Sequence, residues 1–251
     1  PKELFLVENF VEDTLLENGN FEDSLSTAWQ FQPSGDTVIE IATGSAFDES
    51  YAAVWDVDES GSQAVLSQTV TGCSAGTYTL TFFMSDTSLT EYPLVIAIQR
   101  ASDNYYYNFN EKVWQLSEAG LNVRTTEGLY QLRSAWITNE SEEDLTISFR
   151  NQGAAGSQIA VDCVEFGLRQ SYPSFKIISR NFGQSGGFLN FFKDGEDPVA
   201  GEADYEHSSH YDQDFIGGSG AGVSTQFIED IIDLIKPAGV KAAFQPISVA
   251  V

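Results

Sequence analysis

Basic residues are scarce in this sequence. Lys and Arg number 12 against 37 Asp and Glu, leaving a formal net charge of −25. A field of that sign repels phosphate backbones, which excludes a nucleic-acid partner and argues against adhesion to anionic membranes. Cysteine is nearly absent, with only Cys73 and Cys163, too few for a disulfide-built scaffold. One bridge in an oxidising compartment and two buried thiols both remain open. Histidine is confined to His207 and His210, far in sequence from either cysteine, which disfavours a catalytic thiol. No run of about 18 apolar residues occurs, so no membrane-spanning helix and no membrane insertion are expected. The n-region and h-region of a signal peptide are also missing. The chain opens at Pro1, and a product made without a signal is the expectation, with a trimmed mature secreted form as the alternative. No P-loop, dinucleotide fingerprint or Gly-x-Ser-x-Gly elbow is present.

What the chain does have is β character. Short runs rich in Thr, Val, Ile, Tyr and Phe recur between Gly, Asn, Asp and Ser clusters, and predict strands over Thr37–Thr43, Tyr51–Val57, Ala64–Thr71, Gly76–Ser85, Leu94–Arg100, Gly128–Ile137, Leu145–Asn151 and Gln158–Phe166. Several alternate with period two. Tyr78, Leu80 and Phe82 supply one face and Thr77, Thr79 and Thr81 the other, and Leu145, Ile147 and Phe149 repeat the pattern. Lys112–Ala119 reads as a single turn or a further strand. A boundary is expected near Gln170–Ser174, where Tyr172-Pro173 breaks regular structure.

Beyond that boundary the composition changes. Phe175–Ser179 reads as a strand, Asp194–Asp214 as a long acidic loop, and Gly217–Gly222 as a hinge. Phe227, Ile228, Ile231, Ile232, Leu234 and Ile235 then recur at helical spacing, stopped by Pro237 and Gly239. Val240–Val251 returns as a strand. The predicted fold is mainly β: a two-sheet jelly-roll β-sandwich over residues 14–169, preceded by an arm at 1–13. A small α+β region with one amphipathic helix follows at 170–251.

Three pieces of the chain, in order, resemble the jelly-roll, galactose-binding-like group of carbohydrate-binding modules. They are Asn18-Gly19-Asn20-Phe21-Glu22 followed by Trp29, the strand Gly76-Thr77-Tyr78-Thr79-Leu80-Thr81-Phe82, and Ile159-Ala160-Val161-Asp162-Cys163-Val164. The resemblance covers roughly two thirds of the chain. It implies a structural Ca²⁺ clipping the first strand to the last, with Glu22 and Asp162 as side-chain ligands and backbone oxygens near Asn20 and Gly44 completing the shell. The alternative is that Glu22 is a surface residue and Asp162 bonds a backbone amide. Sugar binding needs exposed aromatic faces, for which the candidates are Trp55, Tyr105, Tyr106, Tyr107, Trp114 and Trp136. Consecutive strand residues face opposite ways, so at most two of Tyr105, Tyr106 and Tyr107 share a face.

The stretch Phe227–Lys241 is similar to the end of several phage tail and baseplate proteins. With the missing signal pattern, it leads to the expectation of a non-catalytic virion structural protein. Such a protein would be oligomeric within an assembly of other virion proteins, with its sandwich contacting host glycans. The alternative is a secreted carbohydrate-binding module associated with a polysaccharide-degrading enzyme. His207 and His210 amid acidic residues outline a metal site, but no third ligand is fixed by spacing. Asn139-Glu140-Ser141 is a glycosylation sequon if the chain follows a eukaryotic secretory route.

Overall fold

The computed structural model describes residues 3–8, 10–11, 13–23, 28–48, 50–58, 63–169, 174–180, 232 and 240–247. The chain divides into two units, Phe10–Gln170 and a second made of Pro1–Asn9 with Ser171–Val251. Fifteen strands stand among the described residues. The first five are β1 (Glu3–Glu8), β2 (Gln30–Gln32), β3 (Val38–Thr43), β4 (Tyr51–Val57) and β5 (Val65–Cys73). Then come β6 (Gly76–Asp86), β7 (Leu94–Arg100), β8 (Tyr106–Asn108), β9 (Val113–Gln115) and β10 (Leu121–Val123). The last are β11 (Gln131–Asn139), β12 (Glu143–Asn151), β13 (Ser157–Leu168), β14 (Ser174–Arg180) and β15 (Lys241–Ile247).

The Phe10–Gln170 unit is a two-sheet β-sandwich of the jelly-roll kind. One sheet runs β2-β5-β12-β7-β8-β9 with β10 also on β7, and the other runs β11-β6-β13-β4-β3. Its pairings are antiparallel throughout. Period-two alternation builds the core. Leu145, Ile147 and Phe149 of β12, Leu94, Ile96 and Ile98 of β7, and Tyr78, Leu80, Phe82 and Met84 of β6 are all buried between the sheets. The opposite face of β6 is buried as well, which the pattern of alternating threonines did not announce. Thr79, Thr81 and Phe83 are covered. Phe47 stacks on Phe83 with ring centroids 3.7 Å apart, and a side chain at Gly167 would meet Asp13 O at 2.6 Å.

The Asn18–Glu22 motif has a physical reading here. Gly19 O accepts from Val164 N at 2.8 Å, and a Cβ at Gly19 would lie 2.1 Å from Val164 O. Only glycine lets the opening segment come that close to β13. Phe21 and Trp29 enter the core together, and the Trp29 indole donates to Asn18 O at 3.0 Å.

The second unit corrects the predicted fold class. Its described strands form a three-stranded sheet, β1-β14-β15, with β1 antiparallel and β15 parallel to β14. Among the described residues every named element is a strand. The expected amphipathic helix over 227–236 lies outside the described residues except for Ile232, which is helical and buried. The described part of the region following the sandwich is therefore a sheet, and the α+β arrangement with an amphipathic helix as an element is not what it shows. The reason is that helical spacing is a local property. Pairing of β14 with a strand from the N-terminus and one from the far C-terminus is non-local, and periodicity does not report it. The acidic loop Asp194–Asp214, with His207 and His210, lies outside the described residues. No helix among the described residues is long and apolar enough to cross a membrane.

Candidate functional site

The outward face of the seven-stranded sheet carries a groove. Registered pairing aligns outward side chains into rows across the strands. Thr146 pairs with Gln99, which pairs with Tyr106. Ser148 sits between Ser67 and Ala97, and Arg150 between Val65 and Val95, with Gln32 beyond Val65. These residues and Glu118 line a depression of about 300 Å³, at the small end of the range for ligand sites. It extends from β2 to β8, four strand spacings in the sheet order, or about 19 Å at about 4.8 Å each. Two charged residues line it, Arg150 and Glu118. They form an ion pair. The Arg150 Nε is buried with no acceptor among the described residues.

The six candidate aromatics separate. Trp55 is fully buried in β4, its indole N–H donating to Ala64 O at 3.3 Å. A ring with no free face offers none to a sugar. Tyr107 is likewise core, edge-on to Phe109 and Trp114. Trp114 is half-buried against the core and donates to Thr138 O at 2.9 Å. Tyr105 and Trp114 flank the Arg100 guanidinium, at 5.2 Å and 5.0 Å from their ring centroids, a cation–π arrangement. Trp136 is 40% exposed. It belongs to the other sheet, and Lys112 Nζ sits 4.5 Å above its ring. Tyr106 is the one of the six that lines the groove. Adjacent Tyr106 and Tyr107 do face opposite ways, as strand geometry requires.

Sequence reasoning missed the polar members of this groove: Gln32, Gln99, Glu118, Thr146, Ser148 and Arg150. A signal existed in β12, where Thr146, Ser148 and Arg150 alternate with Leu145, Ile147 and Phe149. That they lie beside Gln99 and Tyr106 depends on strand order, which no local pattern carries.

The residues that the resemblance assigns to Ca²⁺ meet on one loop. Asp162 is fully buried. Its Oδ2 accepts from Phe47 N at 2.8 Å and Asp48 N at 3.0 Å, and its Oδ1 accepts from Cys163 N at 2.6 Å. Glu22 Oε1 accepts from Ser50 N at 2.9 Å and Tyr51 N at 2.8 Å. A bulge in β13, where pairing with β6 shifts between Asp162 and Glu165 and Cys163 takes φ 49°, accompanies the inward turn of Asp162. Gly44, with φ +80°, opens the same loop. Burial pushes the Asp162 carboxyl up to about 7, against the opposing pull of the three amide donors. No cationic side chain is among its partners in the described residues. Asp162 thus bonds backbone amides, as the alternative reading has it, and Glu22 does so too; a hard cation bound there would supply the counter-charge that Asp162, with Asp48 beside it, lacks. Among the described residues no cluster of three or more His, Cys, Asp or Glu gathers, so backbone oxygens such as those of Asn20 and Gly44 would have to complete the shell.

No disulfide joins Cys73 and Cys163. Burial, with the charge of Asp144, pushes the Cys73 thiol up to about 11, which leaves it unreactive. Asn139 of the sequon is buried, and its Nδ2 donates to Cys73 O, Ser74 O and Ser141 O. In the folded chain that nitrogen is committed to holding a turn.

No family model matches this chain, and no curated protein does. Solved structures are similar in part. A putative sugar binding protein from Bacteroides thetaiotaomicron has 13% identity and a TM-score of 0.47, over 62% of this chain and all of that one (100%). A family 61 carbohydrate-binding module in complex with beta-1,4-galactotriose has 20% identity and a TM-score of 0.44, over 63% and 100%. The enzymatically active domain of bacteriophage CBA120 tailspike protein 4 has 18% identity and a TM-score of 0.46, over 62% of this chain and only 21% of that one. This chain thus spans about a fifth of the tailspike domain. The Phe10–Gln170 unit is a jelly-roll β-sandwich with a groove on its seven-stranded sheet.

Proposed function

We propose that the Phe10–Gln170 unit is a non-catalytic carbohydrate-binding module whose glycan lies across the strands in the groove of the seven-stranded sheet. The observation that carries this reading is the groove's composition. One half-buried tyrosine, Tyr106, sits in register with Gln99 and Thr146, and Ser148 and Gln32 line the same groove from neighbouring rows. A ring face beside fixed amides and hydroxyls suits the apolar faces and hydroxyl edges of a pyranose. Glu22, Asp162 and the backbone oxygens of Asn20 and Gly44 hold a structural Ca²⁺ that fastens the opening segment to β13 and takes no part in the groove. The virion reading rested on Phe227–Lys241, most of which lies outside the described residues, so the proposal commits to the module.

Calorimetry or affinity electrophoresis against neutral galactan, xylan and mixed-linkage β-glucan tests this. Wild-type protein is expected to bind at least one polymer and to leave its length unchanged. Tyr106→Ala is expected to weaken that binding roughly tenfold or more, the loss of about 1.4 kcal/mol or more of stacking. Trp136→Ala, on the other sheet, is expected to bind as wild type does. Binding to none of the polymers, or full binding by Tyr106→Ala, would reject the assignment, and shortening of the polymer would reject its non-catalytic part.

A further inference from the structure

We propose that the Arg150–Glu118 pair sets the charge class of glycan the groove accepts, admitting neutral chains and turning away uronic-acid chains. This rests on the carbohydrate-binding reading and goes on to name a specificity-determining residue, Glu118.

Glu118 and Arg150 are the charged side chains among the groove's lining residues, and they are paired with each other. The groove as a whole is therefore neutral, although the chain carries −25. Arg150 is fixed: it stands in β12, paired on one side with Val65 of β5 and on the other with Val95 of β7. Its side chain is 26% exposed. Its guanidinium has donors to spare, since Glu118 takes an N–H of Nη1 only. Glu118 comes from the segment between β9 and β10 and is 52% exposed. It supplies the negative partner that a sugar carboxylate would otherwise supply. A planar guanidinium takes a carboxylate through two parallel N–H donors. A uronic acid would have to displace Glu118 and then lie beside it, two like charges on one cation. A neutral sugar meets no such penalty. It accepts hydrogen bonds from the guanidinium donors that Glu118 leaves free and donates a hydroxyl to the Glu118 carboxylate. The pair thus gives a neutral chain one donor and one acceptor, and gives an acidic chain a competitor.

The test compares wild type, Glu118→Gln and the double variant Glu118→Gln/Arg150→Met. Each is titrated with neutral galactan, xylan, mixed-linkage β-glucan and polygalacturonate at about 0.15 M salt, where long-range repulsion by the rest of the chain is screened. Glu118 is half exposed and in a loop, so its variant is expected to fold; a melting curve confirms it. Wild type is expected to bind a neutral polymer and not polygalacturonate. Glu118→Gln should bind polygalacturonate at least roughly tenfold more tightly than wild type, as for one gained hydrogen bond to a charged group. The double variant should lose that gain. No gain in Glu118→Gln, or a wild-type preference for polygalacturonate, overturns the charge rule while leaving the carbohydrate reading standing. Failure of wild type to bind any of the four polymers overturns both.

Discussion

Replacing Asp86 by alanine is expected to lower the unfolding free energy of the sandwich by about 4 kcal/mol, a large share of the about 5–15 kcal/mol that holds an ordinary domain together. Asp86 is buried at the end of β6. Its Oδ1 accepts from Ser88 N and Thr125 Oγ1, both at 2.9 Å, and its Oδ2 from Thr126 N at 2.7 Å and Thr126 Oγ1 at 3.0 Å. The β6–β7 and β10–β11 connections are therefore both held by one carboxylate. The hydroxyls can rotate toward other acceptors, but the backbone N–H groups of Ser88 and Thr126 cannot. Each buried donor left without an acceptor costs about 1–3 kcal/mol, and the lost charge-assisted bonds add to that. Asp86→Asn keeps one acceptor oxygen and turns an NH₂ toward a backbone N–H, so it should cost about half as much. Urea unfolding checks both values. A loss below about 0.5 kcal/mol in Asp86→Ala would show that the loops find other partners.

Asp162 is expected to give the calcium-free protein a stability that falls as pH rises. Its carboxyl is pushed from 3.8 up to about 7 in the folded chain. The folded state therefore holds the proton more tightly than the unfolded state between those two values. The number of protons bound is then larger in the native state, so the slope of unfolding free energy against pH is negative across that window. The contribution is fully present below about pH 4 and is lost progressively up to about pH 7. The loss is on the order of 4 kcal/mol over the window at about 1.4 kcal/mol per unit. Other carboxylates also titrate there, so the quantity to measure is the difference between wild type and Asp162→Asn as a function of pH, in chelator. Calcium reverses the sign of the demand, because it binds the ionised form. At pH 8 a millimolar excess of Ca²⁺ should raise the melting temperature of wild type by several degrees, by mass action on the folded state, and should leave Asp162→Asn and Glu22→Gln unmoved. An equal melting temperature with Ca²⁺ and with chelator would remove the ion from this site. A pH-independent difference would remove the strained carboxylate.

The two sites differ in how far the sequence discloses them. Asn18–Glu22 and Ile159–Val164 stand out as motifs because each satisfies a local constraint: Gly19 must be glycine for Val164 to approach, and Asp162 must accept the amides of a passing loop. The groove has no such motif. Its members come one to three at a time from five strands and one loop, and each strand member is an ordinary outward residue on its own strand. The aromatics mislead for the same reason. Trp55, Tyr106 and Trp136 are all aromatic residues in strands, yet one is core, one lines the groove, and one lies under a lysine on the opposite sheet. Period-two alternation states that neighbours face apart; it does not state which face has a second sheet above it.

By itself the sequence determined that residues 14–169 would be strands in two layers, since alternating apolar residues with Gly and Asn punctuation are a local code for half-buried β-structure. Its scarcity of basic residues disfavoured polyanionic partners before any coordinate was known. Only the tertiary structure decided that Glu3–Glu8 pairs beside β14, and that both carboxylates of the opening and closing motifs grip one loop. It alone placed Tyr106, Gln99, Thr146 and the Arg150–Glu118 pair on one surface. The physical reason is common to all three. Hydrogen-bonded strand order joins residues that are tens to hundreds of positions apart, and the free energy that selects that order belongs to the packed sheets and not to any segment within them.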